Sequence, residues 1–173
     1  MRHIYLLRHA KASWELAGEL DYERGLTERG ANDCVLMRGP VEALTPAPDL
    51  VICSGARRAR ETLDGVAAAL PKDTVVEYDD RIYQATTDRL IDVLRGIDPG
   101  VEAVLMVGHN PSMHDLAVEL AADGPELDAI AGKFPTAALA ELEFEGEWSQ
   151  VGGDCAQLGR FTRAKMLRSD QPV

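Results

Sequence analysis

Three short stretches hold side chains suited to gripping and transferring a compact anion. "MRHIYLLRHAKAS" opens the chain and ends its first apolar run, Ile4 to Leu7, on Arg8 and His9. "CSGARRARETL" closes an apolar run at Cys53 and enters a helical pattern through Arg57, Arg58 and Arg60. "VLMVGHNPSM" closes a third run and presents His109 just before Asn110 and Pro111. Arginines in a first helical turn oppose the helix dipole, which favours negative charge there. A local rule broken in this way points to a functional site. A docked anion would resolve the conflict, held by guanidinium forks and free backbone N–H groups. Two imidazoles and two arginines suit a dianionic phosphoryl group. The arginines would neutralise its oxygens and the charge of the transition state, while a neutral imidazole could attack phosphorus. Flanking cations would disfavour imidazolium and help keep that nucleophile neutral.

Taken singly, a histidine at a strand end, an arginine-rich turn or a Gly-His-Asn turn is more often structural than catalytic. Their shared position reverses those odds. Leu50–Cys53, Thr74–Tyr78 and Val104–Val107 read as short buried or β-branched strands, like Ile4–Leu7. Helical patterns alternate with them. Thr27 can cap a helix from Glu28 with Ala31, Cys34 and Val35 inward, kinked or interrupted at Gly39-Pro40. Ala59, Thr62, Leu63, Val66, Ala67 and Leu70 make the clearest helical stripe. Leu90, Val93, Leu94 and Ile97 mark another, behind Thr86 or Thr87 as cap, and Asn110 with Pro111 reads as a cap and first-turn proline.

Alternating strands and helices predict an α/β fold: a three-layer αβα sandwich around a mostly parallel sheet. Leu139–Phe144 alternates apolar and charged residues, which predicts an antiparallel edge strand. The tail from Trp148 reads as irregular, wrapping the body and fraying. In a parallel sheet the carboxyl ends share one edge, so Arg8, His9, Arg58 and His109 can meet there.

The chain has 173 residues, enough for a single domain over residues 1–173 with a full core. Its net charge of −11 and pI of about 4.8 disfavour nucleic acid and anionic membranes as partners. Any anion site must therefore be locally basic. No apolar run is long enough for a bilayer. Cys34, Cys53 and Cys155 are widely spaced, which predicts reduced thiols in a cytoplasmic protein. The histidines and cysteines show no paired spacing for zinc.

"LLRHAKAS" resembles the Arg-His-Gly/Ala signature of the histidine phosphatase superfamily, the phosphoglycerate-mutase-like proteins. "SGARRARETL" is similar to its Ser-Pro-x-x-Arg-Ala-x-x-Thr motif, and that alignment selects Arg58 among the three arginines. "VGHNPSM" resembles the segment of the second catalytic histidine. "DYERGLTERG" and "KFPTAALAELEF" resemble further segments of its short branch. The ordered set runs from Met1 to about Phe144, and the compact length resembles the SixA-type phosphohistidine phosphatases.

This resemblance implies a phosphoglycerate-mutase-like fold and a phosphatase needing no metal or other cofactor. It implies His9 as the nucleophile, Arg8 and Arg58 gripping phosphoryl oxygens, and His109 stabilising the transferring group. Arg24, Ser54 and Asn110 are the candidate substrate-binding residues. Gly25 and Gly55 stand where the family has proline, and are expected to loosen the loops around the site.

The leaving group sets the remaining requirement. An alkoxide needs a general acid, whereas a phosphoramidate nitrogen can be protonated before it departs. Glu77, Asp79, Asp80 and Asp88 match no acid motif, Gln84 stands where a carboxylate would help, and Glu15 or Asp21 could supply one from the loop after His9. The favoured substrate is therefore a phosphorylated protein carrying phosphohistidine, with a small phosphate ester as the alternative. A catalytically idle phosphate-binding module would have no need of both histidines, and a mutase would need longer insertions.

Overall fold

The computed structural model describes residues 1–14 and 18–169. In chain order the elements are β1 (Arg2–Arg8), α1 (Glu28–Glu42), β2 (Leu50–Cys53), α2 (Arg57–Val66), β3 (Val75–Tyr78), α3 (Thr87–Arg95) and β4 (Ala103–Gly108). There follow α4 (Ser112–Leu120), β5 (Ala121–Asp123), α5 (Leu127–Gly132), β6 (Ala138–Phe144), β7 (Ala156–Arg163) and α6 (Ala164–Ser169). The strands form one sheet in the order β3-β2-β4-β1-β6-β7-β5. Strand β6 alone runs against its neighbours, pairing antiparallel with both β1 and β7.

Successive side chains of a strand face opposite sides of a sheet. Ile4 and Leu6 therefore join Leu50, Ile52, Val104 and Met106 in one core, under α3, α4 and α5. Tyr5 and Leu7 join Val51, Cys53, Leu105 and Val107 in the other, under α1 and α2. These are the three layers. Central strands buried on both faces read as continuous apolar runs, which is why they were legible.

Several local expectations are corrected. The antiparallel strand lies inside the sheet, not at its edge, because the tail after Trp148 is not irregular. It forms β7, which pairs with β6 and β5. The edges are instead β5 and β3, and the four residues of β3 are all exposed. In α1, Ala31 and Val35 face outward, and the buried stripe is Gly30, Asp33, Cys34, Met37 and Val41. Gly30 sets this rotation, since a Cβ there would meet the Lys11 carbonyl. Helix α1 is not interrupted at Pro40 but runs on to Glu42, although the proline has no N–H to give the ladder. Thr27 does cap it, accepting from the Gly30 N–H, and Thr86 caps α3 through the Arg89 N–H. Asn110 caps nothing; its amide reaches Phe134 instead. Cys34 and Cys53 are buried free thiols, while Cys155 is half-buried.

Since β1, β2, β4 and β7 are mutually parallel, Arg8, Cys53, Gly108 and Arg163 end on one edge. The start of β6 lies between β1 and β7 at that edge, with Ala138 opposite Arg163.

Candidate active site

Arg8 and His9 leave β1 beside the end of β4, and the His9 N–H donates to the Gly108 carbonyl. The His9 and His109 rings lie 5.1 Å apart, centroid to centroid. Both are buried, at 8% and 5% exposure. His9 Nδ1 is 2.7 Å from the Ala10 carbonyl oxygen, which can only accept. The proton is therefore assigned to Nδ1, and Nε2 keeps its lone pair. Burial pushes the His9 pKa down to about 3, and the charges of His109, Arg58 and Arg8 add to this, against the Ala10 bond. The flanking cations thus keep His9 neutral as expected, but burial is the larger cause.

His109 has the complementary tautomer. Its Nε2 is 2.7 Å from the fully buried Ser54 hydroxyl. Ser54 Oγ already accepts from the Ala56 N–H, and its own proton has no other acceptor among the described residues. The hydroxyl therefore donates to Nε2, and Nδ1 carries the His109 proton. Among the described residues the buried Nδ1 has no partner, which leaves it a donor available to a phosphoryl oxygen. Burial, then Arg58, lowers the His109 pKa to about 4. One imidazole thus offers a lone pair and the other an N–H, both uncharged at neutral pH.

Of the three arginines opening α2, only Arg58 is buried, at 7% exposure. Arg57 pairs outward with Glu61 at 2.6 Å. The dipole conflict is met by a carboxylate: Arg58 Nη2 pairs with Asp21 Oδ2 at 3.0 Å, and Nη1 donates to the Asp21 carbonyl at 2.7 Å. Arg24 joins the same cluster, with Nη1 at 2.7 Å from Asp21 Oδ1 and Nε donating to the Ser13 carbonyl. Arg24 thus braces the loop after His9. Tyr83 donates to Asp21 Oδ2 at 2.7 Å. That hydrogen bond, with those from Arg58 and Arg24, lowers the Asp21 pKa to about 2. Asp21 is a fixed carboxylate, so it cannot serve as a general acid near neutral pH. Glu15, the other candidate in this loop, lies outside the described residues.

Arg8 Nη1 donates to the Phe134 carbonyl at 2.9 Å, and Asn110 Nδ2 donates to the same oxygen at 2.9 Å. Arg8 Nε is buried with no partner among the described residues. Ala137, at φ 55°, directs its N–H at the Arg8 and His9 carbonyls, tying the start of β6 to the backbone of these two residues. Left-handed backbone at a non-glycine residue beside such a site is a marker of imposed geometry.

Other contributors carried weaker signals in the sequence. Thr62 looked like part of an apolar stripe. Its hydroxyl accepts from the Ala10 N–H at 2.9 Å and donates to the Arg58 carbonyl at 2.6 Å. It therefore fixes the His9–Ala10 peptide, the unit just before the carbonyl that orients the His9 ring. Tyr83 packs its ring edge-on to His109 at 5.5 Å and under the Arg58 guanidinium at 5.9 Å. Gln84 donates to the Tyr83 hydroxyl at 3.3 Å, and Asp80 accepts from Tyr22. The two glycines stand where the space for a side chain is already taken. A Cβ at Gly55 would meet the Tyr22 hydroxyl and the Asp80 carboxylate, and one at Gly25 would meet the Arg57 guanidinium. Both allow close packing.

The model of the histidine phosphatase superfamily (branch 1) matches residues 4–83. The uncharacterised protein Rv1276c of Mycobacterium tuberculosis is 36% identical over 159 residues, which cover 90% of this chain and 98% of that protein. The chain belongs to the histidine phosphatase superfamily. Within it the chain falls in the SixA-type branch. The structure of an Agrobacterium tumefaciens protein assigned as phosphohistidine phosphatase SixA is 30% identical, covers 94% of this chain and 97% of its own, and superposes with a TM-score of 0.78. A Nakamurella counterpart is 25% identical, covers 94% of this chain and 95% of its own, and has a TM-score of 0.80. The chain is thus a phosphatase of phosphoglycerate-mutase-like fold. No helix among the described residues is long and apolar enough to cross a membrane.

Proposed function

We propose that the protein hydrolyses phosphohistidine on protein substrates through a phosphorylated His9. The reading rests on the opposed tautomers of His9 and His109. The His9 Nε2 lone pair attacks phosphorus, and the substrate P–N bond breaks. The substrate imidazole departs neutral, having taken a proton from solvent on its other nitrogen. His9 keeps its Nδ1 proton on the Ala10 carbonyl, so phospho-His9 is a cationic imidazolium and a good leaving group in turn. Water then attacks phosphorus, the His9 P–N bond breaks, inorganic phosphate leaves, and a water proton passes to phosphate or solvent. Arg8, Arg58 and the His109 Nδ1–H stabilise the oxygens throughout.

Asp21 supports phosphohistidine over an ester, since the carboxyl nearest the arginine grip is locked as an anion. The similarity to two structures assigned as phosphohistidine phosphatase SixA supports the same reading. The test compares kcat/KM on a phosphohistidine peptide and on small phosphomonoesters, in chelator, with His9→Ala as control. Preference for phosphohistidine, abolished by the substitution, is expected. Better turnover of an alkyl ester would assign the protein to metabolite hydrolysis.

A further inference from the structure

Next to the catalytic centre, on the β7 side, lies a pocket of about 530 Å³ that shares Arg8 with it. Lys11, Arg29, Lys133, Arg163, Lys165 and Arg168 line it, and no aspartate or glutamate does. This gathers six of the chain's 18 lysines and arginines besides Arg8, on a molecule of net charge −11. The fold brings them together. Arg163 ends β7, Lys165 and Arg168 follow in α6, Arg29 opens α1, and Lys133 precedes β6. Lys133 adjoins Phe134, whose carbonyl holds Arg8, so the pocket and the phosphoryl grip are contiguous.

Arg168 pairs with Asp33 at 3.2 Å. Among the described residues Lys11, Arg29, Lys133 and Arg163 have no carboxylate within ion-pair distance, and Arg163 Nε is buried without a partner. Such a concentration of like charge is self-repulsive and is relieved when an anion binds.

The form of the pocket indicates which anion. A small polyphosphate or nucleotide site needs convergent, fixed donors or an aromatic platform. This lining has no aromatic ring, and Lys11, Arg29, Lys133, Lys165 and Arg168 are exposed at its rim. Long exposed cations spread over several elements match carboxylates on a protein surface. The rest of the acidic molecule repels such a surface, so this face alone would attract it and set its orientation. We infer that this pocket docks an acidic face of the protein substrate, placing its phosphohistidine over His9. The inference rests on the phosphohistidine reading for the substrate's identity but not for the docking itself.

The test uses two labelled, unphosphorylated peptides of equal length, one rich in Asp and Glu, the other with Asn and Gln in their place. Binding is followed by fluorescence anisotropy to the full chain and to the Arg29→Gln/Lys133→Gln variant. The acidic peptide should bind at least about tenfold more tightly than the neutral one, and about fivefold less tightly to the variant. The preference should vanish near 1 M salt, where the screening length is about 3 Å. Turnover of p-nitrophenyl phosphate by the variant should stay within about twofold of the parent. Equal binding of both peptides would overturn the inference. So would an equal loss on p-nitrophenyl phosphate, or inorganic tripolyphosphate displacing the acidic peptide at far lower concentration than the peptide itself. Because the peptides carry no phosphate, failure to hydrolyse phosphohistidine would overturn the proposed reaction and leave the docking result standing.

Discussion

On the Asp21 side of the candidate site, the buried cation is matched. Arg58 and Arg24 share one carboxylate, and Tyr83 supplies it with a third hydrogen bond. On the β7 side a pocket collects cations with no carboxylate in its lining. Arg8 stands between the two, and among the described residues its one hydrogen bond is to the Phe134 carbonyl. The difference separates two tasks. A charge pinned by a fixed counterion holds geometry, which transfer of a phosphoryl group demands. Lys11, Arg29 and Lys133, with no carboxylate within ion-pair distance among the described residues, hold no such geometry but remain available to a partner.

Replacing His9 by Ala should have the largest effect, at least about a 10³-fold loss of kcat on every substrate, because the attacking lone pair is gone. Retained turnover would remove the catalytic edge from the comparison altogether. On the matched flank, Asp21→Asn keeps the shape and removes the charge that orients Arg58. A fall of about tenfold in kcat/KM is expected, equal for p-nitrophenyl phosphate and for an alkyl phosphate. A loss confined to the alkyl ester would show that Asp21 donates a proton to the leaving group.

Thr62→Val should cost about 1–3 kcal/mol of stability, since the buried Ala10 N–H loses its acceptor. It should also lower kcat by letting the Ala10 peptide, and with it the His9 ring, shift. Thr62→Ser should restore both. Stability restored without kcat would leave Thr62 a purely structural role.

The histidines give a subtler signature in pH. Their folded values, about 3 for His9 and about 4 for His109, lie below the ordinary 6.5. The unfolded chain therefore binds more protons below pH 6.5, and stability falls as pH drops from there through 4 toward 3. The loss is on the order of a few kcal/mol. A His9→Asn variant should show a shallower fall in urea unfolding. The acid limb of kcat/KM assigned to free-enzyme imidazole should lie at or below about pH 4. A limb near 6.5 would mean the histidines are not held neutral. The smallest change is that of Arg29→Gln/Lys133→Gln, silent on p-nitrophenyl phosphate and visible only with an acidic partner.

What the sequence revealed follows the same division. Arg8, His9, Arg58 and His109 were legible because each closes or follows an apolar run, and parallel strands end on one edge. Asp21 was visible only as a possible acid, since nothing local says that Arg58, Arg24 and Tyr83 converge on it from three segments. The Phe134 carbonyl carries no side-chain signal at all. Strand β7 was missed because Gln157, Gly159 and Arg160 break its apolar rhythm, which left only Ala156, Leu158 and Phe161 buried. With it went the basic pocket, whose residues span positions 11 to 168 and meet only once β7 lies two strands from β1.

The most direct measurement is capture of the phosphorylated enzyme. The protein would be mixed rapidly with a phosphohistidine peptide, quenched in alkali, where phosphohistidine survives, and mapped by mass spectrometry with ³¹P NMR of the isolated segment. Phosphate on Nε2 of His9, with none in the His9→Ala protein, is the predicted result. Hydrolysis without a phosphoenzyme, or phosphate found on His109 or any other residue, would contradict it.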